Sequence, residues 1–280
     1  HDYPRMLTTW DQRARRDGIV VRKVKIPCPL MDRDDAVKAV VDAITPRTKV
    51  IHISHVVFLT GQILPVAEIC AEARKRGIIT IVDGAHSFAH VPFVQKDLGC
   101  DIFGTSLHKW FVGPIGTGML YVRKDLIPTV WPLMAAPKEM DANIRKFEEI
   151  GTHPAAIHNA LVESIAFHRA LGAERKAARL RALHRVWVDR VDGMERVRHL
   201  TNVKDDANQC GLRCVHIEGT DPGKVSTWLL DKHRIFTVAI GHEDFKGLRV
   251  APSVYTTMAD MERFADAYAL AASGKVPGLE

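Results

Sequence analysis

Apolar positions along the first 130 residues follow two alternating patterns. One repeats every three to four residues, as at Val66, Ile69 and Ala73, and predicts a helix with one buried face. The other is a short continuous apolar run, as at Val50–Ser54 and Ile78–Val82, and is typical of a strand buried inside a sheet. Their alternation predicts an α/β fold with a mainly parallel sheet.

Capping and breaking residues set the bounds of the predicted elements. Helices are predicted over 4–17, ended by Gly18; over 33–44, capped by Asp32 and broken by Pro46; and from Pro65 to a stop at Gly77. Strands are predicted over Ile19–Ile26, Val50–Ser54, Ile78–Val82, Asp101–Ser106 and Gly118–Val122.

The pattern changes after the first half of the chain. Residues 154–190 are rich in Ala, Leu, Arg and Glu and predict a long helical stretch. Short strands then alternate with helices, namely strands Leu212–Ile217, Phe236–Ile240 and Leu248–Ala251 and helices 222–233 and 258–272. We therefore expect a large domain over 1–153, a connecting long helix over 154–190 and a small α+β domain over 191–280.

Composition and charge narrow the class of protein. Hydrophobic residues make up 46% and charged residues 26%, and no apolar run approaches the length of a membrane span. The net charge of +6 comes from dispersed Lys and Arg, so we expect solvated helix faces that favour anionic small molecules, with no nucleic-acid or membrane partner. Five cysteines without a dense framework predict reduced thiols in a cytoplasmic protein.

Two spacings typical of metal ligands occur, and neither predicts a metal site. Cys210 and Cys214 have no second pair to accompany them. His86 and His90 are four residues apart, but they lie in a loop around Pro92 rather than on a helix face.

Polar residues follow three of the predicted strands. Ser54-His55, Asp83-Gly-Ala-His86 and Ser106-Leu-His-Lys109 stand where ligands gather in α/β sheets, beyond the carboxyl ends of the strands. A desolvated lysine has a lowered pKa and is a nucleophile toward aldehydes, although Lys109 by itself also fits a surface lysine. Asp83 fits a partner of a protonated pyridine nitrogen and, equally, a residue that caps the following turn.

Two further segments are candidates for the same site. Gly113-Pro-Ile-Gly-Thr-Gly118 precedes a strand, so it predicts a tight turn passing close to the site rather than a dinucleotide-binding loop. The guanidinium of Arg249 suits the α-carboxylate of an amino acid, with a surface salt bridge as the alternative.

Taken together, these segments resemble the class V aminotransferase family of fold type I pyridoxal-phosphate enzymes. The resemblance covers essentially the whole chain and is most specific in Val82–His86, Ser106–Lys109 and Gly113–Gly118. Lys109 follows His86 by 23 residues, as in the family. Within the family the chain is most similar to the isopenicillin N epimerase-like branch, through Ser54–Val56 and Thr60–Pro65.

The resemblance implies roles for individual residues. Lys109 is expected to carry pyridoxal 5'-phosphate as an imine and then to act as general acid and base. The other implied cofactor contacts are Asp83 at the pyridine nitrogen, Ala85 on the ring face, His86 near the ring hydroxyl, Ser106 and His108 at the phosphate, and Thr152 at the phosphate of the neighbouring subunit of a homodimer. The implied contacts to the substrate carboxylate are Arg249 and His55.

Two departures from the family pattern affect the expected function. Family members carry an N-terminal part before the segment equivalent to His1–Pro4, and that part supplies a phosphate-binding turn and a side chain stacked on the ring. Its absence leads us to expect a fragment or a protein with weak cofactor affinity. Cysteine desulfurases use a cysteine on the loop before the substrate arginine, and residues 239–246 contain none.

The resemblance implies chemistry at the Cα of an amino acid, with transamination, epimerisation and elimination all open. The alternatives are a cysteine desulfurase or selenocysteine lyase, and a truncated homologue that keeps the fold without the activity.

Overall fold

Eight α-helices and eight strands make up the computed structural model, which describes residues 1–205 and 208–280. The helices are α1 (Pro4–Asp17), α2 (Arg33–Asp42), α3 (Val66–Lys75), α4 (Ala155–Asn159), α5 (Leu161–Leu171), α6 (Ala173–Val191), α7 (Pro222–His233) and α8 (Met258–Ala272). Short 3-10 helices lie at Gln95–Leu98, Lys124–Thr129, Lys138–Met140 and Ile144–Glu148. Within the described residues, no helix is both long and apolar enough to cross a membrane.

The strands form two four-stranded sheets. The first has the order β1-β2-β3-β4, built from β1 (Val50–Ser54), β2 (Ile79–Asp83), β3 (Ile102–Ser106) and β4 (Gly118–Val122). Its first three strands are parallel and β4 is antiparallel, so the predicted mainly parallel sheet is confirmed. The second sheet is antiparallel with the order β5-β6-β8-β7, built from β5 (Val197–His199), β6 (Arg213–Ile217), β7 (Val238–Gly241) and β8 (Lys246–Val250).

Local signals fixed most element bounds to within two residues. Asp32 caps α2 by accepting a hydrogen bond from the Asp34 N–H at 2.9 Å, as predicted. Pro65 is the residue before α3 rather than its first residue, and Gly77 adopts a positive φ of 65° just beyond the end of α3.

Two predicted elements are wrong. The segment 19–26 is not a strand, because it lies along the surface with its exposed basic side chains bonded to Asp11, Ala43 and Asp244 and pairs with no other strand. The long helix over 154–190 is three helices, separated at Ala160 and Gly172. Gly172 has a φ of 81°, a conformation outside the helical range. The short strand β5 was not predicted from the sequence.

Each sheet packs against helices through its own apolar cluster. The cluster of the first sheet includes Phe103 and Val82, which are fully buried, together with one face of α3. The cluster of the second sheet surrounds the buried ring of Trp187, which contacts Phe264 edge-on at 5.7 Å between ring centroids. Cys214 from the second sheet belongs to the cluster of the first, so the two clusters adjoin.

Candidate active site

The carboxyl ends of the three parallel strands lie side by side. Ser54 at the end of β1 pairs in register with Asp83 at the end of β2, and β3 ends at Ser106, three residues before Lys109. Parallel strands bring the residues that follow them to one edge of the sheet. The predicted clustering at this edge is therefore present for the segments that contain Asp83 and Lys109.

Lys109 is half-buried and contacts His86. Its Nζ lies 3.2 Å from His86 Nε2, and the Trp110 indole donates a hydrogen bond of 3.2 Å to the other ring nitrogen, Nδ1. Burial lowers the pKa of the Lys109 amine, Arg249 lowers it further, and the Asp83 carboxylate acts in the opposite direction. Burial and the nearby Lys109 charge also lower the pKa of His86 to about 3, so its imidazole is neutral near pH 7.

Asp83 makes the contact expected of a residue that caps a turn, and its predicted role at a pyridine nitrogen stays a prediction. Its Oδ1 accepts a hydrogen bond of 2.8 Å from the Ala85 N–H, so the carboxylate does cap the turn that follows β2. Its Oδ2 has no hydrogen bond to the described residues and remains available to a cationic ligand group. Gly84 between them is obligatory, because a Cβ there would lie 2.0 Å from the Phe103 ring.

Two aromatic rings line the same edge. The Tyr3 ring centroid lies 5.8 Å from Lys109 Nζ, and Tyr3 contacts Phe58 edge-on at 5.6 Å between centroids. Phe58 in turn lies 6.5 Å from the His86 ring. Tyr3 directly precedes α1, and the Trp10 indole of that helix donates to His52 Nδ1 on β1 at 3.2 Å, which fixes α1 against the sheet.

Arg249 reaches this group from the second sheet. It lies on β8, and its Nη1 donates to the Phe58 carbonyl at 3.0 Å. Its Nε is buried without a hydrogen-bond partner in the described part of the chain. A buried guanidinium nitrogen left unpaired is costly, and a bidentate carboxylate would satisfy it.

The backbone that follows Lys109 is held by side chains from the helices that connect the two sheets. Ser164 Oγ donates to the Val112 carbonyl at 3.1 Å, and His168 Nε2 donates to the Phe111 carbonyl at 3.0 Å. Lys176 Nζ donates to the Trp110 carbonyl. Three successive carbonyls are thus fixed from α5 and α6.

The glycine-rich segment forms the tight turn predicted from its sequence. The Gly113 N–H donates to the Leu107 carbonyl at 2.8 Å, and a Cβ on Gly113 would lie 2.9 Å from that carbonyl oxygen. The turn therefore returns the chain to the base of the Lys109 loop and leads into β4.

Other predicted site residues lie apart from this group or make no contact with it. The His55 ring is buried against Phe93 at 5.0 Å and lines a separate small cavity of about 110 Å³ with Arg181 and Gln209. His55 is the first residue after β1, and the chain bends there, so its ring packs against Phe93 rather than beside Lys109. Phe58, three residues later, lies near His86, and the predicted contact of His55 with the substrate carboxylate stays a prediction.

Four further residues are predicted to contact the cofactor, and they differ in burial. Ser106 ends β3 in register with Gly118 and is half-buried. Ala85 is half-buried, and His108 and Thr152 are exposed. Their roles toward a cofactor stay predictions.

All five cysteines are free thiols. Burial raises the pKa of Cys210 and of Cys214 to about 12 each. Cys210 Sγ also donates to the Gly61 carbonyl at 3.3 Å. The thiolate is the nucleophilic form of cysteine, so neither of these residues is reactive near neutral pH.

His242 and Asp244 lie beside His1 in the folded chain. The ligand-type atoms of these three residues are within 4.8 Å of one another. Their polar atoms already bind one another and a lysine. Asp244 pairs with Lys25, and its backbone N–H donates to His242 Nδ1 at 3.1 Å. An ion-paired cluster accounts for these contacts, and we assign no metal to it.

Sequence reasoning missed three residues of the site: Tyr3, Phe58 and Trp110. Tyr3 follows the extended N-terminal residues and directly precedes α1, and Phe58 follows β1 by four residues. The signal for Trp110 was its position beside Lys109. None of the three has a titratable group that marks it as part of a site near neutral pH.

Comparisons with known proteins identify the family of the chain. The family model described as aminotransferase class-V matches residues 2–264. The chain is 30% identical over 282 residues to an isopenicillin N epimerase of Amycolatopsis lactamdurans, covering 95% of this chain and 71% of that protein. It is also 30% identical to a protein of Pseudomonas putida described as a probable cysteine desulfurase, covering 93% of this chain and 67% of that one.

A solved structure gives the same fold. The apo structure of a cysteine desulfurase from Thermococcus onnurineus NA1 matches with a TM-score of 0.78 at 24% identity, covering 96% of this chain and 70% of the other. Because the family model spans nearly the whole chain, this protein belongs to the aminotransferase class-V family of pyridoxal-phosphate-dependent enzymes with fold type I.

Proposed function

We propose that this chain binds pyridoxal 5'-phosphate through Lys109 and transforms an amino acid at its Cα. The observation that carries the proposal is the grouping of three side chains at one sheet edge: a half-buried lysine, a neutral histidine and an arginine whose Nε has no partner among residues 1–205 and 208–280. Such a reaction needs an amine that bonds to the cofactor, a hydrogen-bond donor beside that amine and a cationic group that binds the substrate carboxylate. Lys109, His86 and Arg249 are the candidates for these three tasks.

The residues at the edge fit the cofactor. The Oδ2 of Asp83, which has no hydrogen bond to the described residues, suits a protonated pyridine nitrogen. The ring of Tyr3, which lies near Lys109, and the side chain of Ala85 are the candidates for contact with the face of the cofactor ring. Ser106 and His108 remain the candidates for the phosphate. When bound, the cofactor supplies an electron-withdrawing ring that stabilises negative charge at the substrate Cα.

Lys109 is suited to two tasks at this site. Its lowered pKa increases the fraction of uncharged amine near neutral pH, and the uncharged amine is the form that bonds to an aldehyde carbon. Once displaced by the substrate amine, the same nitrogen can accept or return a proton at Cα. His86 stays neutral throughout and keeps the lysine oriented through the 3.2 Å contact.

Arg249 is proposed to hold the substrate carboxylate. Its Nη1 is fixed by the Phe58 carbonyl, which leaves the edge that carries Nε to form a bidentate pair. Fixing the carboxylate there orients the substrate relative to Lys109, since Arg249 is close enough to influence the pKa of that amine.

The similar proteins named isopenicillin N epimerase and cysteine desulfurase indicate two reaction classes, and the thiols favour the first. A persulfide mechanism needs an accessible thiolate, whereas the thiols of Cys210 and Cys214 are buried and protonated. The loop 239–246 that leads to Arg249 contains no cysteine. We therefore propose chemistry at Cα, by transamination, epimerisation or elimination, without sulfur transfer.

The proposal is tested by adding pyridoxal phosphate to the purified protein and recording its absorbance. We expect a visible band that borohydride removes, with the label found by mass spectrometry on the peptide containing Lys109. The Lys109→Ala variant should lack both the band and the label. Lys96→Ala, which removes an exposed lysine from the 3-10 helix at Gln95–Leu98, is the matched control and should keep them.

The second step is to incubate the loaded protein with single amino acids and analyse the products. Formation of keto acids, of D-amino acids or of elimination products from any of them supports action at Cα and identifies the reaction. A borohydride label on a lysine other than Lys109, or release of sulfide from cysteine as the main product, contradicts the proposal.

A further inference from the structure

The indole of Trp110 decides which nitrogen of His86 carries the proton. Trp110 Nε1–H is a donor only, and it points at His86 Nδ1 over 3.2 Å. Nδ1 must therefore be the unprotonated nitrogen. A neutral imidazole has one N–H, so in His86 that hydrogen is on Nε2.

The Trp110 ring is itself held in place by a second histidine. It stacks on the buried His90 ring with centroids 3.5 Å apart and an angle of 10° between the ring planes. His90 Nε2 accepts a hydrogen bond of 2.6 Å from the Gly211 N–H, so its Nδ1 carries the proton and donates to the His86 carbonyl at 2.7 Å. Every ring in this stack thus has one allowed orientation.

The protonated Nε2 of His86 lies 3.2 Å from Lys109 Nζ. An N–H group can bond to Nζ only if Nζ has a lone pair, and an ammonium group has none. This contact is consequently favourable for the uncharged amine and unfavourable for the charged one.

We propose that Trp110 is a positioning residue that holds His86 in the Nε2–H tautomer and thereby favours the uncharged amine of Lys109. This inference rests on the proposed function in one respect, namely that the uncharged amine of Lys109 bonds to pyridoxal phosphate. It assigns Trp110 a role that the aromatic character of the residue alone does not imply, because it depends on the indole N–H.

The other charged groups that face Lys109 act on the same equilibrium. Arg249 and burial lower the pKa of the amine, and the Asp83 carboxylate raises it. The Tyr3 ring lies 5.8 Å from Nζ and favours a cation there. The tautomer of His86 adds to the first two effects, so its loss shifts the balance toward the ammonium form.

The tautomer is measured directly in the cofactor-free protein. Long-range ¹⁵N–¹H correlation spectra of ¹⁵N-histidine-labelled protein distinguish a protonated Nε2 from a protonated Nδ1, and His86→Gln assigns the signal. In the parent at neutral pH, we expect His86 as the Nε2–H tautomer. In Trp110→Phe, which keeps an aromatic ring against His90 but removes the N–H, we expect a mixture or the Nδ1–H tautomer. Trp228→Phe, at a tryptophan on α7 whose ring contacts His233 outside the site, should match the parent.

A second readout follows the amine. The rate at which pyridoxal phosphate attaches to Lys109 near neutral pH should fall about fivefold in Trp110→Phe, the effect of one neutral hydrogen bond, and its pH profile should move to higher pH. A general loss of folding would lower the rate without moving the profile.

The inference is overturned if His86 of the parent protein carries its proton on Nδ1, a result that does not depend on whether Trp110→Phe folds. It is also overturned if Trp110→Phe leaves both the tautomer and the pH profile unchanged. If the parent shows the expected tautomer and yet never attaches pyridoxal phosphate, the proposed function fails while the hydrogen-bond arrangement stands.

Discussion

Arg249 illustrates how a single side chain acquires a role from its surroundings. Its Nη1 is used by the Phe58 carbonyl, and its buried Nε is left unpaired among the described residues. Burial also lowers the pKa of the guanidinium without removing its charge near neutral pH. A ligand carboxylate would compensate both the missing hydrogen bond and the desolvated charge.

Replacing Arg249 by Lys should therefore weaken substrate binding more than it slows turnover. A lysine keeps the positive charge but loses the planar fork, and charge-assisted hydrogen bonds of this type contribute about 1.5–3 kcal/mol. We expect KM for the amino acid to rise about 10- to 100-fold, with a smaller change in kcat, in steady-state kinetics.

The control for Arg249→Lys is Arg263→Lys, at an exposed arginine on α8 whose partner is Asp260 at 3.6 Å. The control should keep the KM of the parent. An unchanged KM in Arg249→Lys would show that the substrate carboxylate is bound elsewhere.

At the scale of elements, the connecting helices α5 and α6 support the loop that carries Lys109. Their side chains Ser164, His168 and Lys176 bind its carbonyls. Lys176 is buried, and burial lowers its pKa to about 8. A carbonyl dipole only partly compensates the desolvation of the Lys176 ammonium group. The contact therefore fixes the position of the Lys109 loop but lowers the stability of the folded chain.

The Lys176 contact predicts a dependence of stability on pH. The unfolded chain binds this proton up to its ordinary pKa of 10.5 and the folded chain only up to about 8, so stability rises as pH increases through that window. The full difference corresponds to about 3 kcal/mol. Lys176→Met removes the effect and should lower the gain in the free energy of unfolding between pH 7 and pH 10 by roughly that amount in urea titrations.

The matched variant for Lys176 is Lys232→Met, which changes an exposed lysine on α7 and should keep the gain of the parent. Equal gains in parent and Lys176→Met would mean that Lys176 is solvated in the folded protein. The supporting role of the contact predicts in addition that Lys176→Met attaches pyridoxal phosphate more slowly.

The whole molecule contains several buried neutral histidines. Burial lowers the pKa of each from 6.5, to about 4 for His55 and to about 3 for His86 and for His90, and it also holds the pKa of His184 well below 6.5. The unfolded chain binds these protons below pH 6.5 and the folded chain does not, so stability falls as pH decreases through the range from 6.5 toward 3.

This linkage predicts unusual sensitivity to mild acid. At pH 5 each such histidine should cost about 2 kcal/mol, so the free energy of unfolding should drop steeply between pH 7 and pH 5 in urea titrations. His55→Leu should reduce that drop by about 2 kcal/mol. His158→Ala, at an exposed histidine, should leave it unchanged. A drop that His55→Leu does not alter would contradict the assignment.

An exposed apolar surface also belongs to the scale of the whole molecule. Ile115, Trp131 and Leu133 are 85%, 87% and 104% exposed, and they follow the Lys109 loop along the chain. Large apolar side chains exposed to this degree are candidates for an interface with another chain. A second copy of the chain is the occupant that agrees with the proposed role of Thr152 in a neighbouring subunit.

We expect the protein to sediment as a dimer at micromolar concentration. Trp131→Ser combined with Leu133→Ser should shift the protein toward the monomer, because the two substitutions remove apolar area that association would bury. Phe236→Ser, at a residue that is 78% exposed in the second half of the chain, should not. A parent protein that sediments as a monomer contradicts the homodimer.

Much of this protein was determined by sequence alone. Apolar periodicity together with capping residues predicted the helices α1, α2, α3, α7 and α8, and short apolar runs predicted the strands of the first sheet, because both signals are local in sequence. Asp83 and Lys109 were found because polar residues directly after buried strands are expensive unless they are used. The strand predicted at 19–26 failed because strand formation requires a neighbour, and nothing local provides one.

The tertiary structure decided what surrounds Lys109. Tyr3 and Arg249 are 106 and 140 residues away from it in sequence, and no local pattern relates them. Whether His55 or Phe58 faces the site depended on the bend and turn that follow β1, which direct the His55 ring to Phe93 and the Phe58 ring to Tyr3 and His86. The tautomer of His86 required the indole of Trp110, the stack on His90 and the Gly211 N–H together. Sequence determines which groups are present, but the protonation and orientation of each group depend on distances that only the folded chain sets.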